Sequence, residues 1–452
     1  MKIYNRGERY LVVLGHIPQW LVVDSFGLNI VQKIVNNSKL EDILREYNED
    51  EREDVEVTYA ELLPLLTRVV NRDSTSVENA LTSKTTVAMI SVTRECNLKN
   101  ICPHCYVDAK GLRNGELTTT EHRELGKQLF ARLATDDNKV YKVNLTGGEP
   151  FSRKDILEII HAYREAGFHV NMSTNAMMIK DSDMPALKEM GVTLSVSMDG
   201  SCPETHDRIR GKGAWKRVVD RIKKLTSNGI RVGINFLVHQ ENFGDLEKSI
   251  SLANEIGCSG FNPINLIQLG RADKSNLLRV SEVEIFKRLV GHLTTNANQR
   301  HLFANSSLFS SMGAALLAGI TCESCGVGNR PCVYIDEVGT VYPCPNTQKP
   351  EFRLGNIRSD SLSNCVQLDH PVLQRLRTLQ VSTLNDKCAA CDVRYFCGGD
   401  CRGETHNVTG DLRAPYVACE DRHDSIVELM WIVSESPDLF ETRADEYDSN
   451  LH

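Results

Sequence analysis

The sequence contains no run of eighteen or more apolar residues, so it offers no membrane-spanning helix. It also lacks an excess of positive charge. Its 52 Lys and Arg stand against 60 Asp and Glu, a formal net charge of -8 with no long basic stripe, which speaks against nucleic acid as a partner. The opening residues Met1-Lys2-Ile3-Tyr4-Asn5-Arg6 lead into no signal-peptide apolar region or cleavage site, and no internal repeat stands out. A cytoplasmic protein engaging neither membrane nor nucleic acid is therefore expected. What the sequence has in abundance is cysteine. Most of its 15 cysteines fall between Cys96 and Cys105 or between Cys322 and Cys419. A disulfide scaffold of this density would be a small secreted domain, whereas this chain has 452 residues, 41% hydrophobic and 25% charged, as ordinary globular proteins do. In a reducing compartment, clustered thiols read as metal ligands.

Length allows two or three domains. Residues 1–80 read as a small module of mixed α+β type. Tyr10–Leu14 and Trp20–Val23 are short β-branched runs that predict a hairpin. An amphipathic helix follows, with Leu28, Ile30, Val31, Ile34 and Val35 on one face. A second helix is expected near Ser38, where Ser38-x-x-Glu41 fits a capping box, and a third over Tyr59–Val70. The acidic stretch Asn48–Asp54 reads as a solvated loop and Asn71–Lys84 as a linker.

From residue 86 strands and helices alternate. Strands are predicted at Val87–Val92, Val140–Leu145, Val170–Ser173, Thr193–Ser197, Val232–Val238 and Gly260–Ile267, with helical patterns between them. Six such units predict a parallel sheet, too few for a closed eight-stranded barrel. A partial (β/α)6 TIM barrel over 86–310 is the expected architecture, with chemistry at the carboxyl ends of its strands. The alternation stops after residue 310. Residues 320–425 are rich in Cys, Gly, Pro and Asn, with short strands at best, so bound metal is expected to supply much of their folding energy. Residues 426–452 are expected to form a terminal helix and tail.

Cys96-x5-Cys102-x2-Cys105 directly follows the first predicted strand. Three thiolates can hold three irons of a [4Fe–4S] cluster and leave the fourth open to a chelating small molecule. The alternative is a zinc site completed by His104 or a remote residue. After the second strand comes Leu145-Thr146-Gly147-Gly148-Glu149-Pro150, whose glycines admit close backbone approach and whose Glu149 can accept from an ammonium group. Ser173-Thr174-Asn175 follows the third strand and Ser197-Met198-Asp199-Gly200 the fourth, before Pro203-Glu204-Thr205-His206-Asp207-Arg208-Ile209-Arg210. This ordered set resembles the radical S-adenosylmethionine (SAM) superfamily over residues 86–271. The five-residue first gap departs from that family's Cys-x3-Cys-x2-Cys and enlarges the loop, while Tyr106 matches its frequent aromatic.

The resemblance implies reductive cleavage of SAM at the cluster held by Cys96, Cys102 and Cys105, giving a radical that takes hydrogen from substrate. It implies that Gly147, Gly148 and Glu149 bind the methionyl end, with Glu149 on its ammonium, and that Ser173, Asn175 and Ser197 line the cofactor near the ribose. Cys325-x13-Gly339-x4-Cys344, followed by Cys388-x2-Cys391-x5-Cys397-x3-Cys401-x17-Cys419, is similar to the SPASM extension of peptide- and protein-modifying members, and a pair of zinc ribbons is the competing reading. The similarity implies two auxiliary [4Fe–4S] clusters over 311–425, three clusters in all. The distal one falls on Cys388, Cys391, Cys397 and Cys419. The proximal one falls on Cys325, Cys344 and Cys401, completed by Cys322 or Cys332 or left with an open iron. Cys202, Cys258 and Cys365 belong to no set and default to small buried hydrophobes, with a substrate role open for Cys202 beside the strand end.

Residues 1–80 resemble the winged-helix-like (PqqD-like) domain that recognises leader segments of ribosomally made peptides. That implies a precursor peptide as substrate, its leader added as a strand to the module's edge, and a reducing donor such as flavodoxin or ferredoxin. A sulfatase-maturing type is the alternative, opposed by Pro345 where those relatives carry Asp after the cysteine matching Cys344. A non-catalytic iron–sulfur or peptide-binding chaperone is the other, opposed by retention of the three cysteines and Glu149.

Overall fold

The computed structural model describes residues 1–67, 85–133, 140–304, 306–327, 333–367 and 369–440. Three antiparallel strands open the chain: β1 (Lys2–Arg6), β2 (Arg9–Leu14) and β3 (Gln19–Val23), paired in that order. The hairpin expected from β2 and β3 is present, and β1 adds a third strand. Helix Ser25–Val35 starts where Asp24 accepts a hydrogen bond from the Gly27 N–H at 2.7 Å. Its Ile30, Val31 and Ile34 bury against Val12, Leu14 and Val55.

Two expectations for this module fail. Helix Leu40–Leu44 has Lys39 at its N-cap with no side-chain cap bond, so the Ser38–Glu41 box does not form. The acidic stretch expected to be a loop begins helix Glu49–Thr67, where Glu49, Asp50 and Glu51 occupy the first turn. Carboxylates there face the positive end of the helix dipole, which a charge-run reading ignores. The expected linker Asn71–Lys84, with the end of the third helix, lies outside the described residues.

Six parallel strands carry the centre of the molecule: β4 (Thr85–Thr93), β5 (Val140–Gly147), β6 (His169–Thr174), β7 (Thr193–Ser197), β8 (Arg231–Val238) and β9 (Gly260–Asn265). They lie in sequential order, as repeated βα units dictate. Every second residue, such as Val170, Met172, Leu194, Val196, Val232 and Ile234, is buried beneath helices. The alternate residues are half-buried on the opposite, concave face. Helix Ala214–Ser227 shows why the layers stay together, for its Val218, Val219, Ile222 and Leu225 form one apolar stripe against the sheet.

The cysteine-rich region does more than was expected of its short strands. β10 (Tyr334–Ile335) pairs in parallel with β4, and β11 (Thr340–Tyr342) and β12 (Gly355–Asn356) continue outward, giving a nine-stranded sheet. Strands of two or three residues show no period to read, so only the pairing reveals them. The expected boundary between 425 and 426 falls inside helix Cys419–Glu435, whose last cluster-type cysteine is its first residue.

That helix is also where the amino-terminal module docks. The Tyr4 hydroxyl donates to Asp392 at 2.7 Å and lies 3.1 Å from His423 Nε2, while His423 Nε2 lies 3.0 Å from the other Asp392 oxygen. Arg6 pairs with Glu428 at 2.6 Å and lies over the Trp431 ring. Tyr4→Phe leaves half-buried Asp392 short of a donor, a cost of about 1–2 kcal/mol. It is expected to raise amide exchange in β1 without changing exchange in β5 to β7; unchanged exchange in β1 would show that Tyr4 does not hold the module.

Candidate active site and cluster-binding cysteines

The carboxyl ends of the six parallel strands surround a cavity of about 360 Å³. Cys96, Cys102 and Cys105 lie on its wall with Gly147, Gly148, Ser173, Asn175 and Ser197, so residues far apart in sequence meet there. The loop after β4 carries the cysteines, and its neighbours hold its shape. Gly148 N–H donates to the Thr93 carbonyl at 2.8 Å and Glu149 N–H to the Glu95 carbonyl at 2.7 Å. A Cβ on Gly147, whose φ is +138°, would strike the Thr93 carbonyl, and one on Gly148 would strike the Glu95 carbonyl. Both positions therefore need glycine. From the far side of the cavity, Arg271 N–H donates to the Cys105 carbonyl at 2.9 Å.

Glu149 meets three donors of the protein itself. It is fully buried and absent from the cavity wall. Its carboxylate accepts from Thr174 Oγ1 at 2.6 Å, Asn175 N–H at 2.7 Å and Phe151 N–H at 3.1 Å. Burial pushes its pKa up against those three donors. The geometry thus gives Glu149 the task of fixing the Thr174-Asn175 segment. Asn175 in turn donates from Nδ2 to Asn97 Oδ1 at 2.8 Å, joining that segment to the cysteine loop.

Sequence reading assigned no role to a second buried network. Asp199, fully buried, accepts from Arg210 Nε at 2.6 Å and from Leu237 N–H at 3.0 Å. Arg210 Nη2 lies 3.1 Å from His104 Nε2, and both Arg210 and His104 line the cavity. His104, considered above as a zinc ligand, therefore has that nitrogen occupied by a guanidinium. The signal was present in the Asp199 and Arg210 of the quoted motifs, but their convergence needs the β7 end and helix Pro203–Arg210 to fold back on the cysteine loop.

Cys202 caps that helix with its thiol 3.4 Å from Thr205 Oγ1 and does not line the cavity, so the substrate role left open for it has no geometric support. Cys258 and Cys365 are buried in the main core.

The cysteine-rich region brings its thiols together in sets. Cys344 is pushed up to about 12 by burial, with repulsion from Cys401 and Cys325 adding to it. Cys391 is raised to about 11 mainly by burial, with repulsion from Asp392 and then from Cys419 and Cys388 adding to it. Cys322 is repelled by Cys325, and Cys397 by Cys322. Cys332 is outside the described residues. Asn346 Nδ2 donates to Cys401 Sγ at 3.3 Å, and Pro345 and Asn346 also line the cavity. The set containing Cys344 and Cys401 thus borders the cavity that holds Cys96. Mostly half-buried thiols with no disulfide among the described cysteines suit iron, which displaces their protons.

A family model for the radical SAM superfamily matches residues 90–253, and one for an iron–sulfur cluster-binding domain, SPASM, matches residues 325–392. Mycofactocin maturase MftC of Mycolicibacterium smegmatis is 30% identical over 317 residues, 69% of this chain and 76% of that protein. The chain belongs to the radical SAM superfamily. As a radical SAM enzyme with a SPASM domain, it uses iron–sulfur clusters and SAM. The AdoMet-dependent heme synthase of Methanosarcina barkeri is 27% identical over 351 residues, 74% of this chain and 95% of that protein. Streptococcus suis SuiB, solved bound to precursor peptide SuiA, shares the fold with a TM-score of 0.58 at 16% identity, over 93% of this chain and all of that one, 100%. No helix among the described residues is long and apolar enough to cross a membrane.

Proposed function

We propose that this radical SAM enzyme matures a ribosomally synthesised precursor peptide by hydrogen abstraction, leading to a cross-link, thioether or backbone change. The observation that carries the reading is the meeting of Cys96, Cys102 and Cys105 with Pro345 and Asn346 in one cavity. An enzyme that oxidises its substrate needs an electron acceptor near the reacting carbon, and the cysteine set adjoining Asn346 stands there. Similarity to a mycofactocin maturase over most of the chain supports the same substrate class.

Cys96, Cys102 and Cys105 hold the SAM-binding cluster in this reading. Cys388, Cys391, Cys397 and Cys419 hold the distal auxiliary cluster, and Cys325, Cys344 and Cys401 hold the proximal one, with Cys322 as its fourth ligand. When bound, the first cluster supplies the electron that splits SAM into methionine and a 5′-deoxyadenosyl radical, and the auxiliary pair supplies an electron sink. The chain's own task is positional: Gly147 and Gly148 let a ligand approach the backbone, Ser173, Asn175 and Ser197 line its other side, and the enclosing strands exclude water. The amino-terminal module, residues 1–80, takes the leader along its strand edge, residues 86–310 form the catalytic barrel, and a small cytoplasmic reductant such as flavodoxin or ferredoxin delivers the electron.

The test is the mass change of a short peptide encoded beside the gene, incubated anaerobically with enzyme, SAM and a strong reductant. Loss of two hydrogens is the expected result and means an oxidative cross-link; a larger loss means excision. An unmodified peptide with a porphyrin consumed instead would overturn the reading in favour of the tetrapyrrole class named by the heme synthase relative.

A further inference from the structure

Three side chains from three separate elements form a buried chain ending in the cysteine loop, and the reaction as described uses none of them. Asp199 lies just beyond β7, Arg210 ends helix Pro203–Arg210, and His104 sits between Cys102 and Cys105. Each link is short: 2.6 Å from Arg210 Nε to Asp199 Oδ2, and 3.1 Å from Arg210 Nη2 to His104 Nε2. Asp199 is held by the Leu237 N–H at 3.0 Å, and its own N–H donates to His206 Nδ1 at 3.1 Å. Asn242 Nδ2 donates to the Asp199 carbonyl at 3.2 Å. The carboxylate is fully buried and the Arg210 residue is 9% exposed.

Two consequences follow from donor chemistry alone. A guanidinium has no acceptor, so His104 Nε2 accepts from it and carries no proton. His104 is therefore neutral, with its proton on Nδ1, and the arginine charge is not duplicated one residue from each of two cluster ligands. The second consequence concerns the sign of the field. Arg210 lines the cavity that holds Cys96, Cys102 and Cys105, whereas Asp199 does not. The pair is thus a dipole whose positive end faces the cysteines.

We propose that Asp199–Arg210–His104 is a positioning relay that turns a fixed positive charge toward the SAM-binding cluster and so sets how readily that cluster accepts its electron. The inference rests on the assignment of Cys96, Cys102 and Cys105 as cluster ligands. A reduced cluster carries one more negative charge than an oxidised one, so a cation held beside it, shielded from water, favours reduction. The carboxylate, whose Oδ2 lies 3.9 Å from His104 Nε2, aims the guanidinium and tempers its charge. A merely structural brace would hold the loop without regard to sign.

The experiment is an EPR-monitored redox titration of the anaerobically reconstituted full-length enzyme and its variants. The SAM-binding cluster is identified as the signal that SAM perturbs and that Cys96→Ala/Cys102→Ala/Cys105→Ala lacks. Arg210→Gln is expected to move its midpoint potential down and Asp199→Asn to move it up, with Arg210→Lys between Arg210→Gln and wild type. His104→Gln, which can still accept from Arg210, is expected to keep the wild-type potential. Shifts in the same direction for Arg210→Gln and Asp199→Asn, or no shift in either with the cluster loaded, would overturn the relay. If Asp199→Asn fails to load iron, Arg210→Lys against Arg210→Gln still decides, because only a charge effect separates them in potential at equal iron content. A wild-type enzyme with no SAM-perturbed signal would instead defeat the underlying site assignment.

Discussion

Replacing Cys96, Cys102 and Cys105 together by Ala is expected to abolish 5′-deoxyadenosine formation. It should also reduce iron from about twelve atoms per chain to about eight, because each [4Fe–4S] cluster carries four. The three thiols share one cavity with the glycine turn, and no other cysteine among the described residues lines that cavity. No other described thiol is placed to replace them, and the loss is expected to be complete. The auxiliary sets are anchored separately, by β10 to β12 and by helix Cys419–Glu435, so their iron should survive. SAM cleavage that persisted in the triple variant would sink the site, and wild-type iron well below about eleven atoms would count against three clusters.

The second large effect is expected from Glu149. Glu149→Ala leaves two backbone N–H groups and the Thr174 hydroxyl without their acceptor inside the protein. Each unsatisfied buried donor costs about 1–3 kcal/mol, so the expected loss of stability is about 3–5 kcal/mol after local relaxation. Thermal unfolding should move down markedly, and SAM affinity should fall with it because Asn175 no longer has a fixed position. Glu149→Gln keeps one oxygen acceptor and is expected to fall between the two. A direct contact to the SAM ammonium would give a different pattern, in which Glu149→Gln weakens SAM binding at unchanged stability. Measuring melting temperature and SAM dissociation on the same two variants separates the alternatives.

Much of the catalytic barrel was legible because its signals are local. Alternation in β6 and β8 repeats within a few residues and predicts each strand with ends shifted by only a residue. The cysteine motifs were legible for a related reason: Cys-x2-Cys spacing is itself the geometric requirement for two thiols to share a metal. The acidic start of helix Glu49–Thr67 was misread because a charge run looks like solvent exposure until its position at a helix terminus is known.

Glu149 shows the limit from the other side. Its residue type and place in the motif were read correctly, yet a carboxylate suited to an ammonium is equally suited to three neutral donors. Only the folded arrangement shows which it meets. The same holds for Asn346, which reaches a cavity whose cysteines lie some 240 residues earlier (Cys105 to Asn346), and for Tyr4, which meets Asp392 and His423 across 388 and 419 residues.

By itself the sequence determined the parallel α/β barrel and the two thiol-rich regions, because periodicity and ligand spacing are properties of short stretches of chain, while the class of cofactor followed from the resemblance of the ordered motifs to the radical SAM superfamily. Tertiary structure alone decided that the cysteine-rich region extends the barrel sheet, that Glu149 turns inward, and that Arg210 aims its charge at the cysteine loop. Those outcomes depend on which buried polar groups find partners, and a buried donor or charge is satisfied by whatever the fold brings within about 3 Å of it.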